Sequence, residues 1–280
     1  KDPSIAPDLP HENGVEVVSP ILRIDDATDI GQIVIVFGVL QDCGAKVNAS
    51  TGLHVHIGRH PDGLIHDEVV KICKAYYKYE PVLNALVSPS RRYNDFCKSN
   101  RDFFRDSDAE LFQRIDACQD VEELILKLTL KDKYRKLNLN NLLKHCKTME
   151  FRAFSGEARD PVMVCNWVAL ISRLVACATE APAIQPLPSN ASDEEREEDF
   201  FEFVMLKQDT PLLAWFLKQK QEMAQQKAVR IPLVLQLNVW WHRLRWSHRL
   251  TSKVLSSNSN VFFIGVAFGL CLKEIWRLCR

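Results

Sequence analysis

Hydrophobic residues recur along this chain with two periods, and the switches between them outline the fold. Period-two alternation marks three short segments. In Val15–Leu22, Val15 and Val17 take one face and Glu16 and Val18 the other, with Pro20 closing the segment. In "NASTGLHVHIGR", residues 48–59, Leu53, Val55 and Ile57 alternate with His54 and His56. In "TMEFRAFSG", residues 148–156, Met149, Phe151 and Ala153 alternate with Glu150 and Arg152. Between them the period is helical. Asp26 or Thr28 caps a predicted helix carrying Ile30, Ile33, Val34, Phe37 and Leu40, which stops at Gly44. A second runs from Leu64 through Ile65, Val69, Ile72, Cys73 and Tyr76 until Pro81 kinks or ends it. Residues 108–130 read as two short helices, and Asp160-Pro161 opens a long one through Trp167, Ile171 and Leu174. Residues 181–198, Pro/Ser-rich and then acidic, read as a solvated loop, followed by helices at about 199–207 and 211–226.

Strands joined by long helices predict an α+β fold. Its antiparallel or mixed sheet would carry helices on one face and leave an open polar face on the other. The lead-in, residues 1–14, is extended. Residues 1–226 are expected to form one domain, and 227–280 a basic tail of uncertain status that holds four of the six Trp. Within the tail, Val261–Leu272 is too short for a membrane span. It is expected either as a buried or interfacial helix or as a segment foreign to the fold.

Composition narrows the function. A chain of 280 residues with 46% hydrophobic and 26% charged residues supports a core. The zero net charge divides unevenly: the tail has nine Lys/Arg against one acid, and the first 226 residues have 27 bases against 35 acids. An acidic body argues against nucleic acid as a partner. Nine cysteines with no C-x-x-C pair suit a reduced compartment, so a cytoplasmic location is expected.

The ionisable residues of the three strands are the candidate chemistry. His54 and His56, about 7 Å apart along one strand face, are spaced to hold a metal or a phosphate together. With Glu16, Glu150 and Arg152 they form a mixed set in which carboxylates bind hard cations and arginine neutralises phosphate or carboxylate. Arg91, Arg92, Tyr93 and Asn94 follow a proline turn in "VSPSRRYNDFCKS". A zinc hydrolase on His54-x-His56 would need a further ligand on a neighbouring strand end, and His60, His66 and His145 stand in loop or helix contexts instead.

The segments "GVEVVSPIL", "NASTGLHVHIG", "YEPVLNALVSPSRRYN", "KYRKLNLNNLL" and "TMEFRAFSGEARDP", in this order, resemble the amidoligase family over roughly residues 1–180. That family belongs to the carboxylate-amine ligases with the glutamine synthetase and glutamate-cysteine ligase fold. The resemblance implies a glutamine synthetase-like catalytic domain that uses ATP and Mg²⁺ (or Mn²⁺). Such an enzyme joins a small-molecule or peptide carboxylate to an amine through an acyl phosphate. It also implies roles. Glu16, His54 and Glu150 would be metal ligands, and His56 and Arg92 would lie on the nucleotide side with His54. Arg91, with Arg92 as its alternative, would clamp phosphate or carboxylate. Arg152 would stabilise the transferring phosphoryl group, with Glu150 beside it. Tyr134, Asn138 and Asn140 match the family text and would line the pocket. The family opens with a glutamate-bearing strand of the type GxExE, whereas "KDPSI" resembles the segment after it. A domain short of one strand and its ligands is therefore expected, and an inactive copy serving as a binding module is the alternative to the enzyme.

Overall fold

The computed structural model describes residues 5, 8, 13–23, 26–59, 62–104, 107–157, 160–226 and 262–272. Most of the lead-in, His60, and the tail at 227–261 and 273–280 lie outside them.

The fold is α+β: a small antiparallel sheet and many helices. The strands are β1 (Asn13–Val18), β2 (Leu22–Arg23), β3 (Leu53–Arg59), β4 (Leu137–Asn138), β5 (Met149–Phe151) and β6 (Phe262–Leu272). Their order is β1-β6-β3-β5-β4, with β2 also on β6, and every named pair is antiparallel.

The expectation for Val261–Leu272 is corrected. The described residues of this stretch, Phe262–Leu272, form no helix; they are strand β6, seated between β1 and β3. The register explains why its pattern misleads. Opposite the buried Val15, Leu53, Val55 and Ile57 stand Leu270, Phe268, Val266 and Ile264. Opposite Glu16, His54 and His56 stand Gly269, Ala267 and Gly265. An unbroken apolar run conceals this alternation of large and small, since Gly and Ala do not read as a polar face. Cross-strand partners share a face. One face therefore gathers Glu16, His54, His56, Asn138 and Glu150, and the other Val15, Leu53, Val55, Ile57, Leu137, Met149 and Phe151.

The helices are α1 (Ala27–Asp42), α2 (His66–Asn84), α3 (Pro89–Arg92), α4 (Asp108–Asp116), α5 (Val121–Thr129), α6 (Pro161–Glu180), α7 (Asp193–Phe203) and α8 (Thr210–Gln225). One core joins the apolar sheet face to α1, α2 and α6; Tyr76 meets Phe151 edge to face, with ring centroids 5.6 Å apart. Of the described helices, α6 alone is long and apolar enough to cross a membrane, yet Trp167, Leu170, Ile171 and Leu174 are buried in this core.

Two helical expectations also change. Pro81 neither ends nor breaks α2, which runs on to Asn84. A proline leaves the carbonyl four residues earlier without its usual donor. Here that carbonyl, Tyr77 O, accepts from Arg101 Nη1 at 2.7 Å. The acidic run is not loop throughout, because α7 begins at Asp193, capped by Ser192 with Glu195 in a capping box. Carboxylates in a first helical turn are stabilised by the peptide dipoles, so the same acids that read as solvated loop start a helix.

If β6 lies between β1 and β3, Ala267→Pro removes a ladder donor from the middle of the sheet. Urea unfolding should show a loss of about 3 kcal/mol or more. A loss below about 1 kcal/mol would take β6 out of the sheet.

Candidate active site

The loop before β3 is built from its own side chains. Asn48 Oδ1 accepts from Ser50 N (2.9 Å), and Thr51 Oγ1 donates to Asn48 O (2.7 Å). Gly52 follows because there is no room for a side chain: a Cβ there would stand 2.9 Å from Arg91 Nη2. The loop thus delivers β3 beside β5 with His56 directly opposite Glu150.

Glu150 is the hub of what gathers there. Its Oε1 accepts from Arg152 Nη1 at 2.6 Å and lies 3.3 Å from His54 Nδ1 and 3.7 Å from His56 Nε2. Its Oε2 accepts from Asn138 Nδ2 (2.6 Å) and Asn141 Nδ2 (3.1 Å). His56 Nδ1 is 3.0 Å from Thr148 Oγ1. A buried carboxylate requires this many partners, because each lone pair left bare in a low-dielectric setting is costly.

The expected open polar face is closed at this point. His54, Glu150 and Arg152 are 9%, 5% and 8% exposed. Phe96 and Tyr134 contribute the cover: Arg152 lies over the Tyr134 ring, whose centroid is 5.2 Å from that of Phe96. His56 is half-buried and remains the more accessible histidine.

Burial holds the His54 pKa well below the ordinary imidazole value, and the charges of Arg152, Arg91 and His56 push the same way. Glu150 does not reverse this, since Arg152 takes the same Oε1 at 2.6 Å. His56 is lowered too, chiefly by burial; Glu150 opposes the shift, while Arg152 and Lys144 add to it. Both rings are therefore neutral at pH 7.

The remaining sequence candidates fall in different places. Arg91 is buried under the cluster, where Nη2 donates to the Arg152 carbonyl at 2.6 Å. Arg92 turns away: its Nε donates to Val87 O and its Nη2 to Met223 O, tying α3 to α8. Glu16 shares the sheet face but stands opposite Gly269, whereas His56 and Glu150 share the level of Gly265. Three strand spacings and four residues along the strand separate Glu16 from Glu150 by roughly 20 Å. No single ion spans that gap. Among the described residues no three His, Cys, Asp or Glu side chains converge to hold a metal.

Sequence reasoning missed Asn141 and gave no chemistry to Asn138. The signal was the stretch Asn-Leu-Asn-Asn at 138–141, in which a strand end and a one-turn helix aim residues 138 and 141 at one carboxylate. Asn140, the other expected pocket residue, instead donates to Lys131 O.

This buried acid–base cluster lies within a longer match. The model of the family described as "putative amidoligase enzyme" matches residues 3–175, more than half of the chain. The chain belongs to the amidoligase family, a ligase-type family. Comparisons with curated proteins and with solved structures return no match.

The two depressed histidines predict a pH dependence of stability. A group whose folded pKa lies below its unfolded value of about 6.5 stabilises fully above that value, and the contribution is lost as pH falls toward the folded pKa. As pH falls below about 6.5, unfolding free energy should fall, His54 contributing a slope that approaches about 1.4 kcal/mol per pH unit and His56 a smaller one. Most of the slope should disappear in His54→Asn. Denaturant titrations at several pH values measure it.

Proposed function

We propose that the protein is an ATP-dependent carboxylate–amine ligase with a glutamine synthetase-like catalytic domain, working through an acyl phosphate. The observation that carries this reading is the cluster itself: two neutral imidazoles and a buried carboxylate on strands β3 and β5, with two arginines against them, in a chain that belongs to the amidoligase family. Arg91 Nε and Arg152 Nε are buried donors with no acceptor among the described residues. Such donors are costly unless something accepts from them, and a phosphate or carboxylate oxygen is their strongest acceptor.

The donor set therefore fits an anion. It does not fit Mg²⁺, which wants octahedral oxygen ligands and would find here one carboxylate with both oxygens already engaged. Mg²⁺ or Mn²⁺ remains part of the proposal only as an ion carried by the nucleotide, and no step is routed through it.

In the proposed reaction the substrate carboxylate attacks the γ-phosphorus of ATP, ADP leaves, and an amine then displaces phosphate from the acyl phosphate to give the amide. Arg152 neutralises charge on the transferring group, held on line by Glu150 and by the backbone contact of Arg91. Neutral His56, half-buried, is placed to accept the proton that the amine sheds. The closed cover of Phe96 and Tyr134 keeps water from the acyl phosphate. The substrates are small-molecule or peptide carboxylates and amines. A cytoplasmic location is supported by seven free thiols among the described residues.

A second reading, an inactive copy acting as a binding module, is favoured by the distance of Glu16 from the cluster and by the saturation of Glu150.

ADP release measured with Mg²⁺ against panels of amino acids, peptides and amines separates the two. Turnover is expected for one acid–amine pair and should fall about 10²–10³-fold in Arg152→Met and in Glu150→Gln. No release with any pair, from protein that is folded and binds nucleotide, would establish the binding module.

A further inference from the structure

Lys136 sits immediately before β4, fully buried, with its Nζ 3.9 Å from Oε1 of Glu80, which is equally buried on α2. The ammonium donates to Asn84 Oδ1 at 2.5 Å and to Arg92 O at 3.3 Å. Glu80 Oε2 accepts from Asn100 N at 3.0 Å. The Asn100 side chain then does for Leu137 what a neighbouring strand would do. Nδ2 donates to Leu137 O (2.9 Å), and Oδ1 accepts from Leu137 N (2.8 Å). On its other edge the same stretch meets the cluster. Lys136 O accepts from Arg152 N at 2.7 Å, and Asn138 Nδ2 donates to Glu150 Oε2 at 2.6 Å.

Residues 136–138 are therefore a short bridge with α2 on one side and the Glu150–Arg152 pair on the other. As a stabiliser the buried pair is a poor choice. Withdrawing an ammonium and a carboxylate from water costs much of what their attraction returns, and an apolar pair of equal volume often serves stability as well or better. Burial also pushes the Glu80 pKa up, against the pull of Lys136, the Ser99 hydroxyl, the Asn100 amide and Arg101. What an apolar pair cannot supply is direction. It has no donor for Asn84, no acceptor for the Asn100 amide, and so nothing to fix how far Lys136–Asn138 advances toward Glu150.

We propose that Glu80 and Lys136, through Asn84 and Asn100, are positioning residues for the Glu150–Arg152 pair. They hold β4 at the depth and register that bring Asn138 to Glu150 and the Lys136 carbonyl to Arg152. The catalytic part rests on the ligase reading; the geometric part does not.

The test compares Lys136→Met, Glu80→Gln/Lys136→Met and Asn84→Ala with the full-length protein in three measurements. These are urea unfolding, affinity for Mg-AMPPNP by calorimetry, and NMR of the Asn138 side-chain amide, assigned by its loss in Asn138→Asp. Lys136→Met leaves the Glu80 charge buried alone and should be strongly destabilised. The double variant removes both charges and should regain most of that stability. Its Asn138 amide should nevertheless lose its hydrogen-bonded shift and slow exchange, and AMPPNP affinity should fall about tenfold or more, equivalent to about 1.4 kcal/mol. Asn84→Ala, the mildest change, should show the same two effects to a smaller degree, and it decides the matter if the double variant does not fold. A folded variant with the wild-type Asn138 signal and wild-type affinity would reduce the pair to packing and overturn the proposal. Wild-type protein that binds no AMPPNP would count against the ligase reading, and the Asn138 signal alone would then judge the positioning role.

Discussion

A carboxylate placed almost out of reach of water dictates what surrounds it. Away from water the Glu150 oxygens need donors from the protein, and the structure supplies Arg152 on one oxygen and two asparagine amides on the other. Each of those donors imposes a demand of its own. Arg152 needs its backbone fixed, which Lys136 and Arg91 do through the main chain on either side. Asn138 needs a strand at a set height, and Asn100 provides the edge for it. The histidines lose their charge because they share this confined, positively biased space. Satisfying one ion thus organises β3, β4, β5 and the loop carrying Asn100.

The same requirement separates what the sequence made legible from what it hid. Alternation in 53–59 and 149–153 was enough to place His54, His56, Glu150 and Arg152 on strands and on one face, because a half-apolar strand has one arrangement that buries Val55 and Phe151. The amidoligase text was likewise readable, and the family match covers residues 3–175. Depth was not readable. Nothing in the order of residues says that Arg152 lies against the Tyr134 ring, or that Arg91 points below Gly52 and Arg92 away toward Met223. Those facts follow from long-range packing of loops whose local patterns are neutral.

Three element-level misreadings have a common origin. Pro81, the acidic run before α7 and the apolar run of β6 were each judged by a local rule that assumes solvent nearby. Arg101 replaces the missing donor beside Pro81. The acids of α7 serve the helix start, where charge is welcome. In β6 the residues on the polar face are Gly and Ala, so the contrast of polar with apolar that normally betrays a strand is missing. Only beside Pro81 did a tertiary partner outvote the local rule; α7 is explained by its own cap.

The place of β6 bears on how such a chain comes to be folded at all. Arg59 finds its partner in Phe262, some 200 residues onward, and Asn13 finds its own still later at Leu272. Until those residues leave the ribosome, β1 and β3 each present an unsatisfied strand edge to the cell. Assembly of the sheet is therefore among the last events, slowed by the long loop it must close and exposed to mispairing while it waits. The yield of folded protein in cells should depend on chaperone supply during synthesis more than the small size of the sheet would suggest.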